Sequence, residues 1–350
     1  MSSAAEQLAA NFSFSSLAKA EDLKKRLWFT LGALIVYRLG TYIPIPGIDP
    51  VILSSIFSEQ RSGILGMFDM FAGGALGRMT IFALNIMPYI SASIIMQLMT
   101  AVSPQLEAIK KDGEQGRKKI NQYSRYLTVV LATAQGYMIA LGLEGITSSA
   151  GSAVIDPGLF FRLTTTITLV GGTLFLMWLG EQVTQRGVGN GISLIIFAGI
   201  VANLPSAIAA TLELGRTGAL STIFIIILFA MSIAVVMFII FVERAQRRLV
   251  VQYPKRQVGM RIYGGDSSHL PLKINTSGVI PPIFASALLL MPLTIVQFSG
   301  PGSPEWLQII SSQLGRGQIL YLLFYVSMIV FFSFFYTAVV FYPEVKADKL

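Results

Sequence analysis

The feature that most constrains this chain is a succession of long apolar runs separated by short basic ones. A helix that crosses a bilayer needs about 20 mostly apolar residues. Runs of that kind fall at 27–42, 76–99, 126–143, 163–179, 191–210, 220–242, 279–298 and 319–341. Only 13% of the residues are charged, against roughly 25% in soluble domains. A soluble fold of 350 residues needs far more polar surface than this. Disorder goes with low hydrophobicity, and a mean hydropathy of +0.66 excludes it. The pattern predicts an all-α polytopic membrane protein with eight transmembrane helices.

A net charge of +8 suggests nucleic acid at first sight. The basic residues, however, sit in short runs between apolar stretches, as the positive-inside rule expects of cytoplasmic loops. Most of the 26 Lys and Arg precede the first span, separate the second from the third, or separate the sixth from the seventh. Both termini are therefore expected in the cytoplasm, which agrees with an even number of spans. The first span is short and carries Arg38 near its far end, where a long side chain can snorkel. No small-residue cleavage site follows it, so it reads as a retained span and not as a signal peptide. The absence of cysteine excludes disulfides, thiolate metal sites and cysteine nucleophiles. A single histidine, His269, leaves no room for a zinc-protease motif. No metal and no cofactor are expected.

Between the first two spans, Pro44, Pro46, Gly47 and Pro50 mark a loop. The segment 62–74 that follows is too apolar for a free loop and too short to cross a bilayer. It is either a re-entrant, plug-like helix buried in protein or an amphipathic helix on the outer surface. The run Gly187-Val188-Gly189-Asn190-Gly191 lacks the strand and lysine of a phosphate cradle and reads as a tight turn opening span five. Asn11 and Asn275 match glycosylation acceptors but fall on the predicted cytoplasmic side.

Ionisable residues inside a membrane mark ion or proton paths, because each costs ~2.5–3.5 kcal/mol on insertion scales. Here Asp69 and Arg78 flank the segment 62–74, and Glu181 and Glu243 close spans four and six. No acid falls in the middle of a span, which argues against a secondary transporter. No catalytic pair appears, which argues against an intramembrane enzyme. Ile86 and Ile90 are spaced i, i+4, as are Ile192 and Ile196, and Ile283 follows Pro281-Pro282. Such isoleucines either face lipid and pack, or form a dry constriction. Pro88 in span two, and Pro281, Pro282 and Pro292 in span seven, favour kinks. The small residues Ser91, Ala92 and Ser93, and Ala285, Ser286 and Ala287, allow close helix approach, as ordinary packing or as a seam able to separate.

Four stretches carry a resemblance. They are Phe82-Ala83-Leu84-Asn85-Ile86-Met87-Pro88-Tyr89-Ile90-Ser91-Ala92-Ser93 with Gln97, and Trp178-Leu179-Gly180-Glu181-Gln182 through Arg186-Gly187-Val188-Gly189-Asn190-Gly191-Ile192-Ser193. With them come Phe241-Val242-Glu243-Arg244-Ala245-Gln246-Arg247-Arg248 and His269-Leu270-Pro271-Leu272-Lys273. In this order they resemble the SecY family of protein-translocating channels, over nearly the whole chain beyond residue 20. The resemblance implies a channel fold of two inverted five-span halves with a short re-entrant plug helix. Here it gives a cytoplasmic tail 1–22, a first half 23–215 with the plug at 62–74, and an incomplete second half 216–350 with a cytoplasmic loop 243–278. Such channels have ten spans, so a count of eight implies that the last two are missing.

The resemblance also implies roles. Ile86, Ile90, Ile192, Ile196 and Ile283 fall on pore-ring positions, and Gly63, Ile64, Leu65, Met67, Phe68 and Phe71 on the plug. Pro88, Ser91, Gln97, Asn275 and Met291 fall on a lateral gate. Lys110, Lys111, Arg117, Lys255, Arg256 and Arg261 fall on surfaces that dock the SecA motor or the ribosome. The implied function is a passive conduit in the bacterial cytoplasmic membrane, with SecE and SecG as subunits and signal sequences, unfolded preproteins and lipid as partners, and no direct contact with nucleic acid. Two positions depart from the family pattern. Asn85 stands where glycine is common, and Met260 stands where a basic residue is common.

Overall fold

The computed structural model describes residues 21–50, 52–53, 69, 72–145, 147–148, 151–252, 256–258, 261–263, 267–278, 281–282, 284–286, 288–289 and 319–340. The architecture is mostly helical. In chain order come α1 (Glu21–Gly40), α2 (Met87–Val102), α3 (Pro104–Lys111), α4 (Glu114–Gly145), β1 (Thr147–Ser148) and β2 (Gly151–Ser152). There follow α5 (Leu159–Arg186), α6 (Gly191–Val201), α7 (Leu204–Arg216) and α8 (Thr222–Arg244). The strands β3 (Gln246–Gln252), β4 (Arg256–Val258), β5 (Arg261–Tyr263) and β6 (Ser267–Lys273) precede α9 (Ile319–Val340). Among the described residues, five helical stretches are long and apolar enough to cross a membrane: Glu114–Gly145, Leu159–Arg186, Gly191–Arg216, Thr222–Arg244 and Ile319–Ala338. The helical expectation is met, and among the described residues three two-stranded antiparallel ribbons add to it in connecting segments.

Two spans differ from the sequence expectation. Helix in the run 76–99 begins only at Met87; residues 72–79 and 81–86 form successive turns. Pro88 therefore lies in the first turn of α2 and not in its interior. The physical reason is that proline has no N–H to give, and the first turn of a helix asks for none. Span five is interrupted at Ala202 and Asn203, where α6 ends and α7 begins. Pro205 opens the second piece without cost for the same reason.

The chain divides into two units, residues 1–205 with 287–321 and residues 206–286 with 322–350. In the first, α5 packs against α4, α6, α1 and α2. Its core joins Ile45, Ile48 and Leu53 to Ala72, Ala75, Leu76 and Met79, and to Ala132, Ile139, Leu143 and Leu169. Glycines on α5 make the close crossings. A Cβ on Gly172 would strike the Ile81 carbonyl oxygen, and one on Gly180 would come within 3.1 Å of Ile192 Cγ1. A Cβ on Gly191 would strike the Gly180 carbonyl oxygen. Small residues let helix backbones approach in this way. In the second unit, most large apolar side chains of α8 are exposed on the chain alone. The β3–β6 ribbon pairs Gln246 with Lys273 and Gln252 with Ser267.

Two adjacent glycines test this packing. Gly171→Ala places a methyl in open space and should leave stability unchanged or raise it by about 0.4–1 kcal/mol. Gly172→Ala drives a methyl into the Ile81 backbone and should cost about 1–3 kcal/mol. Thermal unfolding in detergent separates the two.

Candidate functional site

Ile86 and Ile90 sit at the start of α2, 0% and 7% exposed. Ile90 N–H donates to the Ile86 carbonyl at 3.1 Å, so the two side chains are one helical turn apart. Asn85, just before them, is buried and has φ +51°. That left-handed conformation suits glycine, and asparagine is among the few other residues that visit it routinely. The departure from glycine at this position thus keeps the backbone geometry and adds an amide.

Ile192 and Ile196 lie half-buried in the first turns of α6. The helix start is built by Asn190, whose Oδ1 accepts from Ile192 N–H at 3.0 Å and Ser193 N–H at 3.3 Å. Thr184 Oγ1 accepts from Gly191 N–H at 2.8 Å. The turn ahead of it is held to α1, since Val188 N–H donates to Thr30 Oγ1 at 3.1 Å. The glycine-rich run is accordingly a turn and helix cap. Both isoleucine pairs are carried by helices packed on α5.

Charges fix the ends of α4 and α5. Arg125 meets Glu181 in a bidentate pair, Nε to Oε1 at 3.0 Å and Nη2 to Oε2 at 2.7 Å. At the opposite ends, Arg162 Nη2 lies 2.6 Å from Glu144 Oε2, and Glu144 Oε1 accepts from Gly158 N–H at 2.9 Å. Bidentate arginine–carboxylate pairs add geometric specificity, and these set the register of the two helices.

The positions expected of a lateral gate fall in two places. Ser91 lies in a narrow crevice of about 50 Å³ with Ile94, Ile95, Leu98, Leu131, Gln135 and Leu288. Gln97 is half-buried on the same helix, and its carbonyl accepts from Thr100 Oγ1 at 2.7 Å. Asn275 is the centre of a polar cluster that sequence reasoning did not assemble. Its Nδ2 donates to Glu243 Oε1 at 2.7 Å, and its Oδ1 accepts from Ser277 Oγ at 2.9 Å and Gly278 N–H at 3.1 Å. Ser277 Oγ lies 3.1 Å from Ser333 Oγ, and Thr276 Oγ1 donates to Thr337 Oγ1 at 3.2 Å. These bonds join the segment after β6 to α8 and α9. The only sequence signal for them was the polar run 275–277 ahead of two prolines.

Lys110 and Lys111 end α3, and Arg117 is exposed in the first turn of α4. Lys111 Nζ pairs with Glu107 Oε1 at 2.9 Å; that hydrogen bond and charge hold the Glu107 carboxyl below its ordinary range. Arg256 and Arg261 belong to the β4–β5 ribbon. Ile283, Met291, Lys255 and the plug positions Gly63, Ile64, Leu65, Met67, Phe68 and Phe71 lie outside the described residues. Arg38 is bonded within the chain. It folds back, with Nη1 donating to the Gly73 carbonyl at 2.9 Å and Nη2 to Tyr42 Oη at 2.9 Å.

Together these elements define a class, a multi-pass helical membrane protein. Comparison with solved structures agrees on the fold. The chain is similar to "The structure of a protein conducting channel", with a TM-score of 0.57 and 20% identity over 79% of this chain and 59% of that one. It is similar also to "Sec61 in the Canine ribosome-channel complex from the endoplasmic reticulum", with a TM-score of 0.54 and 21% identity over 79% and 59%. The SecY family model matches residues 80–350. The protein translocase subunit SecY of Rickettsia bellii is 57% identical over 340 residues, 97% of this chain and 78% of the relative. That of Escherichia coli K12 is 56% identical over 330 residues, 94% and 74%. The chain belongs to the SecY family. It is a protein translocase subunit, not an enzyme, and a subunit works with partner chains. It spans about three quarters of the length of these curated relatives and 59% of the two channel chains.

Asn85 gives the test at this site. Asn85→Gly should fold as well as the parent, whereas Asn85→Val should lose about 1–2 kcal/mol by forcing a β-branched residue into left-handed backbone. Equilibrium unfolding in detergent, followed by tryptophan fluorescence, measures both.

Proposed function

We propose that this chain lines the path of an unfolded polypeptide through the bacterial cytoplasmic membrane, with Ile86, Ile90, Ile192, Ile196 and Ile283 as a dry constriction and residues 62–74 as its plug. The observation that carries the reading is the buried stretch 72–86, built of turns and ending in the Ile86–Ile90 pair. Non-helical backbone at membrane depth is tolerated only inside protein or beside a water-filled cavity. Branched apolar side chains suit such a constriction. They stop ions by dewetting and bind no particular sequence strongly.

In this reading the chain hydrolyses nothing. Work comes from the SecA ATPase, from translation at a docked ribosome, or from the membrane potential. SecA and the ribosome engage Lys110, Lys111, Arg117, Lys255, Arg256 and Arg261. A signal sequence enters a lateral gate at Pro88, Ser91, Gln97, Asn275 and Met291 and favours an open state already available to the channel. Apolar segments leave sideways because partition into hydrocarbon favours them. The chain comprises the halves 23–215 and 216–350, SecE and SecG complete the complex, and the tail 1–22 and loop 243–278 face the cytoplasm.

The lack of cysteine gives a clean background. Ile90→Cys paired with a cysteine in the mature part of a stalled preprotein should yield a disulfide adduct that requires SecA and a signal sequence. An adduct independent of both would refute the path. Separately, Ile86→Gly with Ile90→Gly should raise ion leak severalfold while export persists, and unchanged conductance in assembled channels would count against the ring.

A further inference from the structure

The start of α6 depends on groups outside that helix. The turn ahead of it runs through two glycines, Gly187 and Gly189, the second left-handed at φ +75°. Glycine leaves such a turn little stiffness of its own. On the α5 side, Gly191 approaches the Gly180 carbonyl so closely that a Cβ would strike it. Glycine contacts bring backbones together but leave no side chain at the crossing to interlock.

The second support comes from α1, 158 positions away in the chain. Thr30 is 9% exposed. Its Oγ1 donates to the Arg26 carbonyl at 2.9 Å and accepts from Val188 N–H at 3.1 Å. Arg26 Nη1 reaches the Gly187 carbonyl at 3.4 Å. One turn of α1 thus holds two successive residues of the loop, one by its C=O and one by its N–H. The fit is close, since a Cβ on Gly187 would lie 2.5 Å from Thr30 Oγ1. Ile192 follows four residues after Val188, and Ile196 one helical turn later.

We propose that Thr30 is a positioning residue for the constriction: its hydroxyl, assisted by the Arg26 guanidinium, fixes the start of α6 on α1 and so sets where Ile192 and Ile196 stand. The proposal rests on the pore reading above and names what holds one of its two isoleucine pairs in place. Its physical basis is hydrogen bonding. The Thr30 hydroxyl gives its proton to its own helix, and its lone pairs are free to accept from outside, here from Val188 N–H. Without that oxygen the Val188 N–H loses its acceptor, and the loop must shift to find another or admit water. A shift at Val188 is passed to Ile192, because Asn190 Oδ1 ties the loop to the first N–H groups of α6. A constriction that stops ions by dewetting responds to such a shift, since a small widening lets water in.

The test reads ion leak per channel, without preprotein, from the full chain assembled with its partner subunits in planar bilayers. Thr30→Val removes the hydroxyl while keeping the branched shape, and it should raise the leak about tenfold, the shift that one lost buried hydrogen bond supports. Thr30→Ser keeps the hydroxyl and should leak no more than the parent. A purely structural role would lower the amount of assembled channel and leave the leak per channel unchanged, which overturns the proposal. A leak from Thr30→Ser equal to that from Thr30→Val overturns it too, because the hydroxyl is then not what matters. Ile192→Gly with Ile196→Gly runs beside them. If that variant leaks and Thr30→Val does not, the positioning role fails alone; if neither leaks, the pore reading fails and takes the positioning role with it. Should Thr30→Val not assemble, Arg26→Gln decides, since Arg26 is exposed and the substitution removes its contact with Gly187. A smaller rise in leak supports the proposal and an unchanged leak refutes it.

Discussion

Every backbone N–H and C=O that lies in hydrocarbon must find its partner inside the protein, and the rest of this structure depends on how that rule is met between residues 72 and 86. The long helices satisfy it by themselves. The stretch before α2 does not, and its bonds come piecemeal. Thr80 N–H donates to the Ala75 carbonyl, Ala83 to Thr80, Asn85 to Phe82, Ile81 to Ile43, and Ile45 to Met79. Such a segment survives at depth only if enclosed. The enclosure is supplied by α5, whose Gly172 lets the Ile81 carbonyl approach, and by the stacked rings of Tyr37, Phe82 and Phe175.

Charged residues pair where helices end. Arg125 with Glu181, and Arg162 with Glu144, pair at opposite ends of the α4–α5 contact. Glu243 is bonded by Asn275 at the end of α8. The paired charges mark helix ends, and the buried residues of α4 and α5 between them are largely threonine, alanine, glycine and leucine.

Much of this is legible in the order of the residues alone. The apolar periods mark the helices α4, α5, α8 and α9, and the tetrad spacing of Ile86 with Ile90 and Ile192 with Ile196 marks the apolar faces. The Gly187–Gly191 run is readable as a turn because no lysine or strand accompanies it. The start of α2, by contrast, lies about a dozen residues later than the apolar run suggests. Hydropathy reports burial and not backbone conformation, and 76–86 is as apolar as a helix while being made of turns. The break in span five at Ala202 and Asn203 is hidden for the same reason.

The sequence by itself determined that this chain lives in a membrane, how many apolar runs it offers, where its charges concentrate and which family it joins. Those are properties of composition, order and local spacing, and they need no knowledge of distant partners. Only the tertiary structure decided that Arg38 turns inward to Gly73, that Asn275 reaches Glu243, and that Gly73 lies on Gly199. Each of these joins residues more than thirty positions apart or depends on a left-handed backbone angle, and the chain must fold before such groups meet. A long polar side chain at a membrane edge has several acceptors within reach, and packing selects the one that it takes.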